Sequence, residues 1–341
     1  MLTKYAWLKI RLILLLINKK KITLRKIFNA LYCYIAYCLK LDMSAATPFL
    51  INFELSNLCN ENCVFCRTED GKIYDLNPNK KHSFIEKGIM RIEIFESIIK
   101  QTRDTLLMAI PYVNGEPFIS KEIGRAIKIA TENNVASMIA TNGLLLNEKN
   151  INIILDNGLD FIKVHVSGFS RDAHSIQHRV GDVELIKNNL RLLSRMIGER
   201  NAPIIVMVDY ILYKHNAHEV ELFRKFADNL GFMFSTRTGN PHGMEDKEDR
   251  QYKGNFPVNL PCDWLWKVLT INWNGDILPC CDYVTWSDVK GYGRFSLYNT
   301  NISEVWNGPH AISMRRIHRE QGRVPIPICS GCPRRGIEFK F

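Results

Sequence analysis

Three cysteines at the spacing C-x3-C-x2-C, Cys59, Cys63 and Cys66, constrain this chain more than any other feature. They follow directly on an apolar alternating segment, residues 49–55. Three thiolates this close can hold three corners of a cube-shaped iron–sulfur cluster and leave one iron without a ligand from the loop. A structural zinc site closes its shell with four ligands, and a ferredoxin-type cluster takes four cysteines. A three-cysteine loop therefore points to a cluster with one open iron, which is a place for chemistry.

The chain has 341 residues, 46% apolar and 23% charged, enough for two domains or one large barrel with an appendage. Its ten cysteines cluster in metal-like spacings instead of spreading as a disulfide framework, which favours a reducing, cytoplasmic compartment. The net charge is +10, and residues 1–40 hold nine basic residues and no acidic one. The body is thus nearly neutral, and its charge gives no reason to expect a nucleic-acid partner. The basic segment is also apolar, with uninterrupted runs at 12–17 and 30–39. Both are shorter than the roughly 18 residues of a spanning helix, and no small-residue cleavage site follows the first. Two amphipathic helices are expected. Either they lie on a membrane surface with basic residues toward anionic lipid, or they pack on the main domain with Tyr32, Tyr34 and Tyr37 at the interface. Cys33 and Cys38 are expected to be ordinary buried thiols.

After Pro48 the pattern becomes short apolar strands, each followed by a helical stretch. The strands are expected at 50–55, 106–113, 136–140, 161–167, 204–211 and 232–237, with helices at 92–101, 121–132, 148–156, 183–197 and 219–230. Such alternation implies a parallel sheet with helices outside, a partial TIM-like (β/α)6 barrel in the α/β class, whose chemistry sits at the carboxyl ends of the strands. The cysteine loop follows the first strand, at that end. Asn114-Gly115-Glu116-Pro117 follows the second, Thr141-Asn142-Gly143 the third, and Ser167-Gly168 ends the fourth. Each is also a good turn sequence, so their common placement is the informative part. Glycine there lets backbone approach a ligand, and Glu116 can accept from an ammonium group. The charged stretch after Met244 reads as a linker. Beyond it lie Cys262, a hairpin turning at Asn274-Gly275, the pair Cys280-Cys281, and Cys329-x2-Cys332, with helices at 302–306 and 310–320. By spacing alone, these later cysteines suit either structural zinc or a cluster.

Together these residues resemble the radical S-adenosylmethionine (radical SAM) superfamily with a C-terminal SPASM/twitch domain, over roughly residues 48–335. The division expected is a basic amphipathic helical segment at 1–47, a radical SAM core at 48–243 and a small α+β auxiliary-cluster domain at 244–341. The resemblance implies that Cys59, Cys63 and Cys66 hold a [4Fe–4S] cluster whose open iron binds S-adenosylmethionine. It also implies that Phe65, Asn114, Gly115, Glu116, Pro117, Thr141, Asn142 and Ser167 form the cofactor's surroundings. Asn114 stands where the family's G-G-E-P motif has its first glycine. Cys262, Cys280, Cys329 and Cys332 would hold a second, auxiliary [4Fe–4S] cluster in the shorter, twitch arrangement.

The chemistry implied is reductive cleavage of S-adenosylmethionine to a 5′-deoxyadenosyl radical, which takes a hydrogen atom from substrate. A flavodoxin or ferredoxin is the expected reductant. Oxidation and epimerisation are both open outcomes. Cys281 is a candidate hydrogen donor, and His165, His174, His178 and Arg179 are candidates for an unassigned base. No peptide-binding winged-helix module is apparent before the first strand. A sugar-like or other small-molecule substrate, in one form lipid-linked, is therefore the leading expectation, with maturation of a ribosomally made peptide as the alternative. A non-enzymatic zinc protein binding nucleic acid through the basic segment is the rival of another class.

Overall fold

The computed structural model describes residues 4–80, 82–239, 258–330 and 332, with side chains from residue 9 onward. The expected linker, residues 244–256, lies outside the described residues.

Two helices open the chain, α1 (Lys4–Asn18) and α2 (Leu24–Cys38). The Thr23 hydroxyl caps α2 by accepting from the Lys26 amide at 3.3 Å. Strand β1 (Leu50–Phe53) then leads into the cysteine loop and a small hairpin, β2 (Ile73–Tyr74) with β3 (Phe84–Ile85). Next come α3 (Ile92–Thr102), β4 (Met108–Ile110), α4 (Ile123–Glu132), β5 (Ala136–Thr141), α5 (Glu148–Asp156) and β6 (Phe161–Val166). Two helices, α6 (Arg171–His178) and α7 (Val183–Arg200), precede β7 (Ile205–Leu212), α8 (Val220–Asn229) and β8 (Met233–Thr238).

Strands β1, β4, β5, β6, β7 and β8 are neighbours in that order, every pair parallel. This is the partial (β/α)6 barrel expected from the alternation. Because side chains alternate along a strand, Ile51, Phe53, Ile162 and Val164 face the main core that the outer helices complete. Their neighbours Leu50, Met108, Met138, Phe161 and Met207 form a second apolar cluster, which closes the lower barrel lumen together with Leu16 of α1. Strand β4 is shorter than expected because Pro111 lacks the amide hydrogen needed to continue the ladder. Helix α6 was not expected, since its sequence is polar on most faces. Its start is set by Ser170, whose hydroxyl accepts from the Ala173 amide at 3.2 Å.

The C-terminal part contains α9 (Trp264–Lys267), β9 (Val268–Ile271), β10 (Asp276–Leu278) and β11 (Gly293–Arg294). It ends with α10 (Ile302–Trp306), α11 (Pro309–Gln321) and α12 (Pro327–Ser330). The expected turn joins β9 and β10, with Gly275 at φ +88°. Strand β9 pairs in parallel with β1 from Leu50↔Val268 to Phe53↔Ile271. The later module therefore extends the barrel's own sheet, which has nine strands among the described residues.

Helices α1 and α2 pack on the barrel, at the amino ends of its strands. Lys19 and Lys21 reach Asp160, just before β6, at 2.9 and 2.6 Å. Lys26 Nζ donates to the Asn134 carbonyl, just before β5, and Asn29 Nδ2 to the Thr105 carbonyl, before β4. The expected tyrosine interface is corrected. Tyr32 and Tyr34 are exposed, although the Lys267 ammonium lies 5.2 Å from the Tyr34 ring centre; Tyr37 is partly covered, edge-on to Trp266 at 5.6 Å. Cys33 is buried as expected, but Cys38 is exposed. The reason is that strand-start carbonyls need donors, so the inward face of α2 is the one carrying Lys26 and Asn29. Among the described residues no helix is long and apolar enough to cross a membrane.

Candidate functional site

The cysteine loop leaves the carboxyl end of β1. Cys63 is buried, and Cys59 and Cys66 are half-buried. Burial raises the Cys63 thiol well above its ordinary value, and the charges of Glu61, Cys59 and Cys66 add to this. Burial likewise pushes Cys59 up to about 12. Sulfurs in such surroundings become thiolates only against a compensating cation, a part that the iron of a cluster would fill. The loop is held by its carbonyls. Buried Arg67 donates to the Asn57 carbonyl. Arg179 Nη1 donates to the carbonyls of Asn62 and Arg67, both at 3.1 Å. Arg179 sits at φ +33°, an uncommon conformation for a side-chain-bearing residue, at the turn that closes α6.

Gly115 lies against this loop. At φ +78° a β-carbon on it would stand 2.4 Å from the Leu58 carbonyl oxygen. Next to it Glu116 is buried, and burial pushes its carboxyl up to about 7. Its oxygens accept from Thr141 Oγ1 at 2.8 Å, the Asn142 amide at 2.9 Å and the Phe118 amide at 3.2 Å. Glu116 therefore binds the loops after β4 and β5 together, a role the sequence did not indicate. Asn142 Nδ2 reaches Asn60 Oδ1, inside the cysteine loop, at 2.9 Å. Asn114 is half-buried, and Pro117 is buried at the start of a short 3-10 turn, Pro117–Ile119. Phe65 is half-buried between Cys63 and Cys66. The Ser167 hydroxyl is buried and has no partner among the described residues. Three gathered thiols, a glycine that admits no side chain and an unpartnered hydroxyl fit the cluster and nucleoside that the sequence implies.

Several residues at this end escaped the sequence. Glu54, one residue past β1, is fully buried, and burial pushes its carboxyl up to about 8 despite bonds from the amides of Asn114 and Trp273. It links the second-strand loop to the β9–β10 turn. Glu61 Oε2 lies 2.9 Å from His178 Nδ1 and 3.3 Å from Cys63 Sγ, and that sulfur is 3.4 Å from the same Nδ1. His174 stacks on His178 with centroids 4.3 Å apart, and its Nδ1 accepts from the Ser167 amide at 3.3 Å. Two of the four base candidates, His174 and His178, thus buttress the cysteine loop from α6, and Arg179 does so from the adjoining turn.

The fourth, His165, faces the lumen. Lys163 and His165 alternate with the core-facing residues of β6, Asp209 comes from β7 beside it, and Arg237 from β8, the next strand along. His165 Nε2 is 3.4 Å from Asp209 Oδ2, which Arg237 Nε meets at 2.7 Å. Burial holds His165 down at about 3. Burial alone would raise Asp209, but Arg237, His165 and Lys163 outweigh it and hold the carboxyl at about 2. The sequence signal was the alternation of Lys163 and His165 with apolar residues along β6, and a lone Asp209 in the otherwise apolar run of β7.

The later cysteines also converge. Burial raises Cys280 well above its ordinary value, helped by Asp282, Cys281, Cys262 and Cys329. It pushes Cys329 up to about 12, with Cys262 and Cys332 adding to the effect. Asp282 lies among them, its oxygens 3.6 Å from Cys332 Sγ and 4.0 Å from Cys281 Sγ. The Cys262 amide donates to His318 Nδ1 at 3.1 Å. The segments that follow the two thiol groups meet, since the amide of Leu76, beyond the cysteine loop, donates to the Thr285 carbonyl at 2.8 Å.

A partial barrel with three thiols at its strand ends and a second thiol group in the module that extends its sheet defines an iron–sulfur enzyme of the α/β class. The chain belongs to the radical SAM superfamily: the family model described as "Radical SAM superfamily" matches residues 53–227. A second model, SPASM, described as an iron–sulfur cluster-binding domain, matches residues 262–333. Its cofactors are [4Fe–4S] clusters and S-adenosylmethionine. Curated relatives named PqqA peptide cyclase are similar along most of their length. That of Xanthomonas euvesicatoria is 21% identical over 86% of this chain and 82% of its own. Streptococcus suis SuiB bound to S-adenosylmethionine shares the fold with a TM-score of 0.62, at 13% identity over 88% of this chain and 75% of that one. SuiB is also solved bound to precursor peptide SuiA. BtrN in complex with AdoMet and 2-DOIA shares the fold with a TM-score of 0.52, at 18% identity over 84% of this chain and 92% of that one.

Proposed function

We propose that this chain matures a ribosomally made peptide by abstracting a hydrogen atom from one of its residues and oxidising it. The observation that carries this reading is the similarity to peptide cyclases, which runs through both modules and over 86% of the chain. It favours the peptide alternative over the sugar-like or lipid-linked substrate that the sequence put first. The fold is compatible with an extended substrate. Among the described residues β8 pairs only with β7, so the barrel is open along one side.

The bound clusters and S-adenosylmethionine would supply the radical and take up the electron that oxidation releases. Cys59, Cys63 and Cys66 would hold the first cluster, and Cys262, Cys280, Cys329 and Cys332 the second. Gly115 leaves room for the cofactor, and Ser167 offers it a hydroxyl. In the lumen, Arg237 and Asp209 orient His165, whose neutral imidazole can make a hydrogen bond to the peptide. Cys281 lies beside the auxiliary thiols and Asp282, which favours oxidation over hydrogen return by this residue. A flavodoxin or ferredoxin in a reducing, cytoplasmic compartment fits as electron donor.

The test is anaerobic turnover of the reconstituted enzyme with short peptides encoded beside its gene, and with sugars and aminocyclitols in parallel. The expected product is a peptide lighter by about two mass units, with matching 5′-deoxyadenosine. Turnover of a sugar with none of any peptide would overturn the proposal.

A further inference from the structure

Helix α2 is inside out. Its buried face carries Lys26, Asn29, Cys33 and Ala36. Its exposed face carries Leu24, Ile27, Phe28, Leu31 and Ile35, between 39% and 73% exposed. That spacing is one continuous stripe of an α-helix. On α1 the residues Ile13, Leu14 and Ile17 are each about half exposed. Thirteen of the twenty-two large apolar side chains that the described residues leave exposed lie between residues 13 and 43. Scattered exposed leucines need no explanation, but a contiguous patch of this kind marks an interaction surface.

The charge around the patch says what covers it. Residues 1–40 hold nine basic side chains and no acidic one. Lys19, Lys21 and Lys26 turn inward to Asp160 and the Asn134 carbonyl, whereas Lys9, Arg11, Lys20 and Lys40 are exposed. A second copy seated on this face would bring two wholly basic segments together, which is unfavourable. An anionic bilayer offers the opposite charge and an apolar layer to receive the stripe. Tyr32 and Tyr34, both more than half exposed, suit the headgroup level.

We propose that α1 and α2 form a monotopic foot that seats this enzyme on anionic lipid. The foot meets residues just before β4, β5 and β6, so it lies under the amino ends of the barrel strands. The cysteine loop and its neighbouring motifs lie at the opposite ends. The enzyme therefore stands with its active site turned away from the bilayer, and its substrate arrives from the aqueous side. Packing on the barrel and binding lipid, which the sequence offered as alternatives, use opposite faces of one helix and occur together.

The test is vesicle flotation of the full-length holoenzyme under anaerobic conditions. Phosphatidylcholine vesicles with and without phosphatidylglycerol are compared, with sedimentation velocity run on the same samples. We expect flotation with the anionic vesicles, weak flotation with phosphatidylcholine alone, and release on raising salt. The double variant Phe28→Glu/Leu31→Glu should float about tenfold less, with iron content and secondary structure unchanged. Changing Lys9, Arg11, Lys20 and Lys40 to Gln should bring anionic flotation down to the neutral-vesicle level. Wild-type protein that stays with the soluble fraction overturns the proposal. So does flotation that neither variant reduces. A lipid-free dimer that the glutamate variant dissociates, without flotation, assigns the face to a second copy instead.

Discussion

Gly115 tolerates no other residue. Its φ of +78° and the carbonyl of Leu58 at 2.4 Å from a would-be β-carbon both exclude a side chain. That need was legible, because a glycine after a strand invites close approach of backbone. The cysteines were legible for the same local reason, since spacing alone groups Cys59, Cys63 and Cys66. The Glu61–His178 pair was not, because 117 residues separate its members. Nor was the engagement of Glu116 with Thr141 and Asn142, which depends on two loops meeting. The cysteine assignments carry a direct prediction. Reconstituted wild-type enzyme should hold about eight irons, and either Cys59→Ala/Cys63→Ala/Cys66→Ala or Cys329→Ala/Cys332→Ala should hold about four. Only the first set should abolish 5′-deoxyadenosine. Loss of all iron from the second set would mean that the two centres are not independent.

At the scale of elements, strong periodicity was readable and polar helices were not. Helices α5 and α10 match the expected bounds of 148–156 and 302–306. Helix α6 was missed because its buried residues include His174, Gln177 and His178, so it has no apolar stripe to find. Helix α2 had a stripe, but periodicity cannot say which face turns inward. The docking of α1 and α2 rests heavily on Asp160, which is buried and accepts from Lys19, Lys21 and the Ser137 amide. Replacing Asp160 with Ala leaves the Lys21 ammonium buried without its partner, at a cost of about 3–5 kcal/mol. Chemical unfolding should show that loss, and limited proteolysis should release residues 1–40 early. An unchanged midpoint would mean that the helices are held by their apolar contacts instead.

The whole molecule couples to pH through its buried histidines. Burial holds His165, His174 and His318 down at about 3, 2 and 4. The unfolded chain takes up these protons near pH 6.5, whereas the folded protein refuses them until pH 4 or below. Stability from this source is therefore complete above pH 6.5 and is lost as the pH falls. Between pH 6.5 and 5 each histidine can contribute up to about 1.5 kcal/mol of that loss. His165→Asn should lose correspondingly less than wild type when guanidinium midpoints at pH 7 and 5 are compared anaerobically. An equal loss would mean that His165 is protonated in the folded state. By itself the sequence determined the strand–helix alternation, the three-thiol loop at a strand end and the later cysteines, because periodicity and short spacing are local properties. Only the tertiary structure decided that β9 joins β1, that Lys163, His165, Asp209 and Arg237 share one lumen, and that α2 turns its apolar face outward. Each of these depends on which backbone groups and charges meet across the fold, and on which partners are left to satisfy them.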